Sequence, residues 1–274
     1  MGYFTKEIKP TIAASKQHAG TIVAGDVLFD WTSFDIPRGG AKLEGVTVLV
    51  RPKGDAGPTP NNFPISLIFG KEGTDAHKDL TSTSSIGDPG DVAFLAGKLT
   101  NAIIGSIEIA TADYIGPDSA ISTSCLSVAT SSPVGSLILD SKYNSATRTG
   151  ANSKVVPNDG YDRYYVAGIA NGTFDFRSIN AIAEDTDASH ANSQVITMDG
   201  TSMDCQEHFI DGDVVHIGTS AGTPAADSLI GTIASADSTT QITLDAVSPT
   251  ELVDGDILYN IHPVRLILHF ENRT

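Results

Sequence analysis

Apolar residues along this chain recur mainly with a period of two, in short runs separated by turn residues. In Val46-Thr-Val-Leu-Val50, Val46, Val48 and Val50 share one face while Thr47, Leu49 and Arg51 share the other, which predicts a strand with one fully buried face. Strands are likewise predicted for Thr21 to Phe29, Ile65 to Phe69, Gly105 to Ile109, Ser136 to Leu139 and Arg163 to Ile169. Thr173 to Arg177 is the cleanest alternation, with Phe174 and Phe176 inward and Asp175 and Arg177 outward. Ile36-Pro-Arg-Gly-Gly40 predicts a hairpin-like turn, and the Pro- and Gly-rich run from Arg51 to Phe63 a loop. One change of period stands out: Val92, Leu95, Leu99 and Ile103 recur at three- and four-residue steps behind Asp88 and Asp91, which predicts a short helix between Asp88 and Ile104.

From about Ile179 to Asn192 the chain is polar and acidic without periodicity, and very short strands follow. Val195 to Met198, Asp213 to Ile217, Leu229 to Ala234, Gln241 to Leu244 and Asp256 to Tyr259 supply five, enough for a small closed barrel of the SH3-like or OB-like kind. Asp211-Gly-Asp213 and Asp254-Gly-Asp256 begin two copies of one turn-and-strand unit, with His216 and Tyr259 at equivalent places. The closing run alternates Val264, Leu266, Leu268 and Phe270 with Arg265, Ile267, His269 and Glu271, too long to turn back within such a barrel. The expected organisation is therefore an all-β chain: a β-sandwich over residues 1–180, completed by 262–274, with a small barrel inserted over 193–261.

Composition supports this picture, since only 18% of residues are charged and Gly, Ser and Thr are abundant, as in strands joined by many turns. Against 17 basic residues there are 33 acidic ones, a formal charge of −16, which disfavours nucleic acid and anionic membrane surfaces as partners. No apolar stretch approaches the roughly 20 residues of a membrane span, and Met1 to Pro10 lacks the apolar centre of a signal peptide. Two cysteines, Cys125 and Cys205, form no disulfide framework and are expected to be small buried residues of a protein made in a reducing cytoplasm.

Gly218-Thr-Ser-Ala-Gly222 matches the G-x-S-x-G nucleophile pattern, but Thr223-Pro224 follows where that chemistry needs a helix, so a turn between strands is expected. The two Asp-Gly-Asp turns and Glu184-Asp-Thr-Asp187 raise calcium, yet the spacing of acidic positions and the bidentate Glu of an EF-hand-type loop are missing; these Asp side chains are expected to bond their own turns. His18, His77, His190, His208, His216, His262 and His269 never fall at zinc-site spacings. Phosphate-cradling glycine loops are absent, and the sequons at Asn171 and Asn272 have no secretory route. No catalytic, cofactor-binding or metal-binding residue is predicted, and no cofactor.

Two stretches resemble virion structural proteins of tailed bacteriophages, especially those of marine cyanophages. One runs from Ala24-Gly-Asp-Val-Leu-Phe-Asp30 through Phe34-Asp-Ile-Pro-Arg-Gly-Gly-Ala41 to Val50; the other comprises Gly212 to His216, Ile230 to Ala236, Gln241 to Leu244 and Asp254 to Glu271. Residues 80–157 carry none of it. The resemblance implies a jelly-roll-like sandwich and a non-enzymatic virion protein, first a capsid decoration or cement protein reinforcing the shell. Its alternative is a tail, neck or baseplate component, or a receptor- or carbohydrate-binding module. Implied partners are the major capsid protein or other virion proteins and further copies of the chain, with a trimer one ring-closed form. A β-sandwich hydrolase is the third class, which needs ionisable groups converging from distant positions.

Overall fold

The structure is a computed structural model that describes residues 2–17, 22–37, 39–51, 61–71, 86, 103–115, 122–127, 137–139, 161–173, 176, 193–198, 205–218, 228–252 and 256–272. In chain order the strands are β1 (Tyr3–Ile8), β2 (Val27–Pro37), β3 (Ala41–Val50), β4 (Ile65–Gly70), β5 (Ile103–Ile109), β6 (Tyr114–Ile115), β7 (Ser122–Ser127), β8 (Leu137–Leu139), β9 (Tyr161–Ala170), β10 (Val195–Thr197), β11 (Val214–Gly218), β12 (Ser228–Ser238), β13 (Gln241–Leu244), β14 (Ile257–Asn260) and β15 (Val264–Asn272).

The fold is all-β, and three antiparallel sheets account for these strands. The first has the order β1-β15-β3-β7-β6, with the short β8 also on β3; the second is β2-β9-β4-β5; the third is β10-β13-β12-β11-β14. Setting aside the minor strands β6 and β8, strands one, eight, three and six of the sandwich (β1, β15, β3, β7) form one sheet and strands two, seven, four and five (β2, β9, β4, β5) the other. Successive early strands thus alternate between facing sheets, and the last strand returns beside the first, which is jelly-roll order.

Hydrophobic pattern explains how each sheet is covered. In β15, Val264, Leu266, Leu268 and Phe270 are buried and Arg265 is exposed, so the first sheet buries one face. Across the core, Phe34 of β2 stacks with Phe270 of β15 at a centroid distance of 6.1 Å, and Phe270 with Phe4 at 5.1 Å. The second sheet is buried on both faces. Tyr164, Val166 and Ala170 point into the shared core, while Tyr165 and Ala167 join Val27, Trp31, Ile68 and Ile86 in a separate cluster on its outer side. That double burial is why Tyr164 to Ile169 carries an unbroken apolar run rather than an alternation.

The third sheet is the inserted unit. The long strand β12 pairs β11 through Ser228 to Thr232 and β13 through Ile233 to Ser238, with register shifts along both ladders. Such bulges bend a strand, and residues from all five strands, among them Ile196, Val215, Ile230, Ile233, Ile242 and Leu258, meet in one core with Cys205 and Phe209.

Several expectations change. Thr21 to Phe29 is not one strand: Val23 to Asp26 form a turn and β2 begins at Val27. Gly39-Gly40 is no hairpin, because β2 and β3 lie in different sheets; both glycines have positive φ, 119° and 82°, where the chain crosses from one sheet to the other. Of the run Thr173 to Arg177, Phe174, Asp175 and Arg177 lie outside the described residues; β9 ends at Ala170, and Phe176 is buried in a bend whose N–H donates to the Gln17 carbonyl at 3.2 Å. Ile103 opens β5, while the remainder of the expected helix, residues 88–102, lies outside the described residues apart from Ile104, also in β5. Among the described residues β10 and β14 are the ends of the inserted sheet and share no ladder, so the expected ring is not closed by them. The polar run 179–192 also lies outside the described residues.

Candidate functional site

A glycine-aspartate turn recurs at the starts of strands. Val23 N–H donates to Asp26 Oδ2 at 2.8 Å and Asp26 N–H returns to the Val23 carbonyl at 3.0 Å, with Gly25 at φ 96°. In the insert, Ile210 N–H donates to Asp213 Oδ2 at 3.0 Å and Asp213 N–H to the Ile210 carbonyl at 3.1 Å, with Gly212 at φ 86°. The carboxylate takes up the amide that the turn would leave unsatisfied, and glycine supplies the left-handed backbone. Gly25-Asp-Val-Leu-Phe29 has the same spelling as the two copies Gly212-Asp-Val-Val-His216 and Gly255-Asp-Ile-Leu-Tyr259.

Asp213 does more than close its turn. Arg51, at the end of β3, donates from Nη2 to both Asp213 oxygens at 2.6 and 2.9 Å and from Nη1 to the His208 carbonyl at 3.3 Å. Burial pushes the Asp213 carboxyl above its ordinary range; Arg51, the Ile210 amide and the Asn260 side chain pull it back without cancelling that rise. The seam continues through the segment after β1. His262 Nδ1 donates to the Pro10 carbonyl at 3.1 Å, Ile12 N–H to the Ile261 carbonyl at 2.9 Å, and Gln17 Nε2 to the carbonyls of Ile12 and Asn260 at 2.8 Å each. Ala14 packs on Ile257 and Tyr259 beside them. Sandwich and insert are therefore joined by an ion pair, a strap of backbone bonds and a small apolar cluster.

The other chemical candidates do not converge. Gly218 ends β11 and β12 begins at Ser228; residues 219–227, which hold the rest of the G-x-S-x-G match and the segment where a nucleophile turn requires a helix, lie outside the described residues. His216 and Tyr259 stand directly opposite in the β11–β14 ladder. His269 Nε2 is bonded to Thr47 Oγ1 at 2.9 Å, and Cys205 is a buried thiol outside any disulfide. Asn171 Nδ2 donates to Ser66 Oγ at 2.7 Å. His18, His77, His190 and residues 184–187 lie outside the described residues, and among the described ones no three His, Cys, Asp or Glu side chains are grouped to hold a metal ion.

One shallow groove, of about 330 Å³, lies along β1 and is lined by Tyr3, Phe4, Thr5, Glu44, His269 and Phe270. Glu44 is paired with Lys42 at 2.5 Å, which holds its carboxyl below the ordinary range. With His269 turned to Thr47, the groove presents no carboxylate–imidazole pair for proton transfer. Tyr3, 74% exposed, stands at its rim.

No known protein family matches the chain, and no curated protein does. Among solved structures it aligns with a chain from "Life in the extremes: atomic structure of Sulfolobus Turreted Icosahedral Virus", at 10% identity over 98% of this chain and 90% of that one, with a TM-score of 0.17. At that score the alignment carries no argument.

Proposed function

We propose that this protein is a non-enzymatic structural component of a tailed-phage virion, a capsid decoration or cement protein that binds the major capsid protein and reinforces the shell. The observation that carries the reading is the strand order, β1-β15-β3-β7 facing β2-β9-β4-β5, because double-sheet jelly rolls recur in viral coats. Support also comes from how the ionisable groups are used. Asp26 and Asp213 close turns, Arg51 joins the insert to the sandwich, and Glu7 pairs with Arg265 at 2.6 Å on the outer face of the first sheet.

Reinforcement needs a body that does not yield when its neighbours move. The seam fastens the insert to the sandwich at two places, the segment after β1 and the end of β3, so a load on either unit reaches the other through packed contacts rather than a loose tether. A charge of −16 suits a position on the outer surface, away from packaged genome. Association of copies into a closed ring, a trimer among the possible forms, would multiply a small gain per contact.

Jelly rolls also serve as lectins, which keeps a carbohydrate- or receptor-binding role on a tail or neck as the second reading. Clustered exposed aromatics would favour it. Trp31 is buried at 3% exposure in the outer cluster of the second sheet, and among the described residues Tyr3 is the exposed aromatic. The test is imaging of purified particles that carry this protein. Density on the outer shell between capsid subunits is the expected result; density confined to the tail, or particles lacking the protein, would overturn the proposal.

A further inference from the structure

Among the described residues β1 ends its sheet, with a ladder to β15 on one side. Asn272 N–H donates to the Gly2 carbonyl at 2.8 Å, which sets the alternation of that ladder. In an antiparallel pair, bonded and non-bonded residue pairs alternate. The even-numbered residues of β1 therefore bond to β15, and the N–H and C=O groups of Tyr3, Thr5 and Glu7 point toward the open edge. The side chains of all three are exposed.

The geometry points to a second copy of this chain as the occupant of that edge: two β1 strands pair antiparallel about a two-fold axis at Thr5, joining two first sheets into one. Charge and strand overlap together select this register. A two-fold axis normal to the sheet keeps outer faces together, so the strand centres on one residue meeting itself. Centring on Lys6 sets two ammonium groups at the closer, non-bonded position, and centring on Glu7 opposes two carboxylates; like charges directly across are destabilising. Centring on Phe4 leaves Glu7 beyond the end of the opposing strand. Centring on Thr5 pairs Thr5 with Thr5 and Tyr3 with Glu7 in both directions, each pair exchanging both backbone bonds. It also sets Lys6 opposite Phe4 of the second copy, where an ammonium group can lie against a ring. A lysine on the inner face of an edge strand discourages indiscriminate pairing; here it leaves one register open.

Such a contact is two-fold and links copies in pairs, so it joins rings rather than closing a three-fold one. It does not rest on the virion reading, since it holds or fails for the purified chain in solution. The test combines sedimentation of the full chain up to about 0.1 mM with oxidation of two variants that each add one cysteine to a chain whose Cys125 and Cys205 are replaced by serine and alanine. Bonded pairs hold their Cα atoms about 5.5 Å apart, within disulfide reach. Thr5→Cys should therefore form a disulfide dimer, whereas Glu7→Cys, which faces Tyr3 of the second copy, should not. Thr5→Pro, lacking the edge N–H, should shift the wild-type dimer to monomer while far-UV circular dichroism stays unchanged; if that variant does not fold, the cysteine pair decides. A wild-type monomer throughout the range, an odd-numbered assembly, or equal cross-linking of both cysteine variants would overturn the proposal.

Discussion

Gly168 sits in β9 directly opposite Phe29 of β2, at a register shift where the backbone passes close under the ring. A Cβ at position 168 would lie 2.3 Å from Phe29 Cε1, 2.7 Å from Cζ and 2.8 Å from Cδ1. Ordinary carbon–carbon contact is about 3.5–4.0 Å, so the nearest overlap exceeds 1 Å by any choice in that range. Phe29 is fully buried and has no exposed side toward which its ring can swing. Overpacking of this kind costs about 1–3 kcal/mol, and the depth of the overlap puts Gly168→Ala at the upper end. The alanine also restricts the unfolded chain, which returns about 0.4–1 kcal/mol. The expected net loss is about 2 kcal/mol, or a fall in Tm of about 4–8 °C for a chain of this size class, measured by differential scanning calorimetry. Phe29→Leu shortens the obstructing side chain, so in that background Gly168→Ala should cost less than half as much, a coupling of at least about 1 kcal/mol. A Gly168→Ala protein that melts with or above the parent, or one whose loss is the same with Leu at position 29, would refute the ring–backbone argument.

Arg51→Ala should destabilise by about 1.5–3 kcal/mol in urea unfolding, because Asp213 keeps a largely buried carboxylate without its charged donor, and adding Asp213→Ala should cost little more than the single change. Asp213 itself has a raised value in the folded state, so the native protein holds its proton longer than the unfolded chain. Its contribution to stability is complete below about pH 3.9 and is lost as pH rises through the raised folded value. The urea midpoint of wild type relative to Asp213→Asn should therefore fall as pH climbs through that interval, and a rise would contradict the burial argument. Tyr114 donates to the Phe63 carbonyl at 2.6 Å, and burial pushes its phenol upward. Tyr114→Phe should cost about 1 kcal/mol, and one fewer tyrosine should resist ionisation near pH 10 in an ultraviolet titration of the variant than of the wild type.

Particular residues mark how far local pattern reaches. The faces of β3 and β15 were legible because Val46, Val48 and Val50, and Val264, Leu266, Leu268 and Phe270, alternate with polar or half-exposed neighbours against a single core. The same reasoning placed Phe176 inward, and it is buried, but in a bend whose N–H donates to the carbonyl of Gln17, far away in sequence. It missed β1, whose half-exposed edge carries Lys6 and Glu7, and β7, whose Ser122-Thr-Ser-Cys-Leu-Ser127 has little apolar signal. The seam was hidden for a different reason. Arg51 and Asp213 are ordinary surface residues by type, and nothing in their neighbourhoods along the chain announces the pairing.

By itself, the amino-acid order determined an all-β chain, the faces of its strongest strands, the turn at Asp213, and a closing strand that leaves the small insert. These features depend on side chains within a few residues of one another, where pleat and turn chemistry act directly. Only the tertiary structure decided that Gly39-Gly40 changes sheets, that the second sheet is buried on both faces, that β10 and β14 share no ladder among the described residues, and that Arg51 clasps Asp213. Each of those depends on which strands become neighbours far apart in the chain, a choice set by the summed burial of whole sheets rather than by any local run.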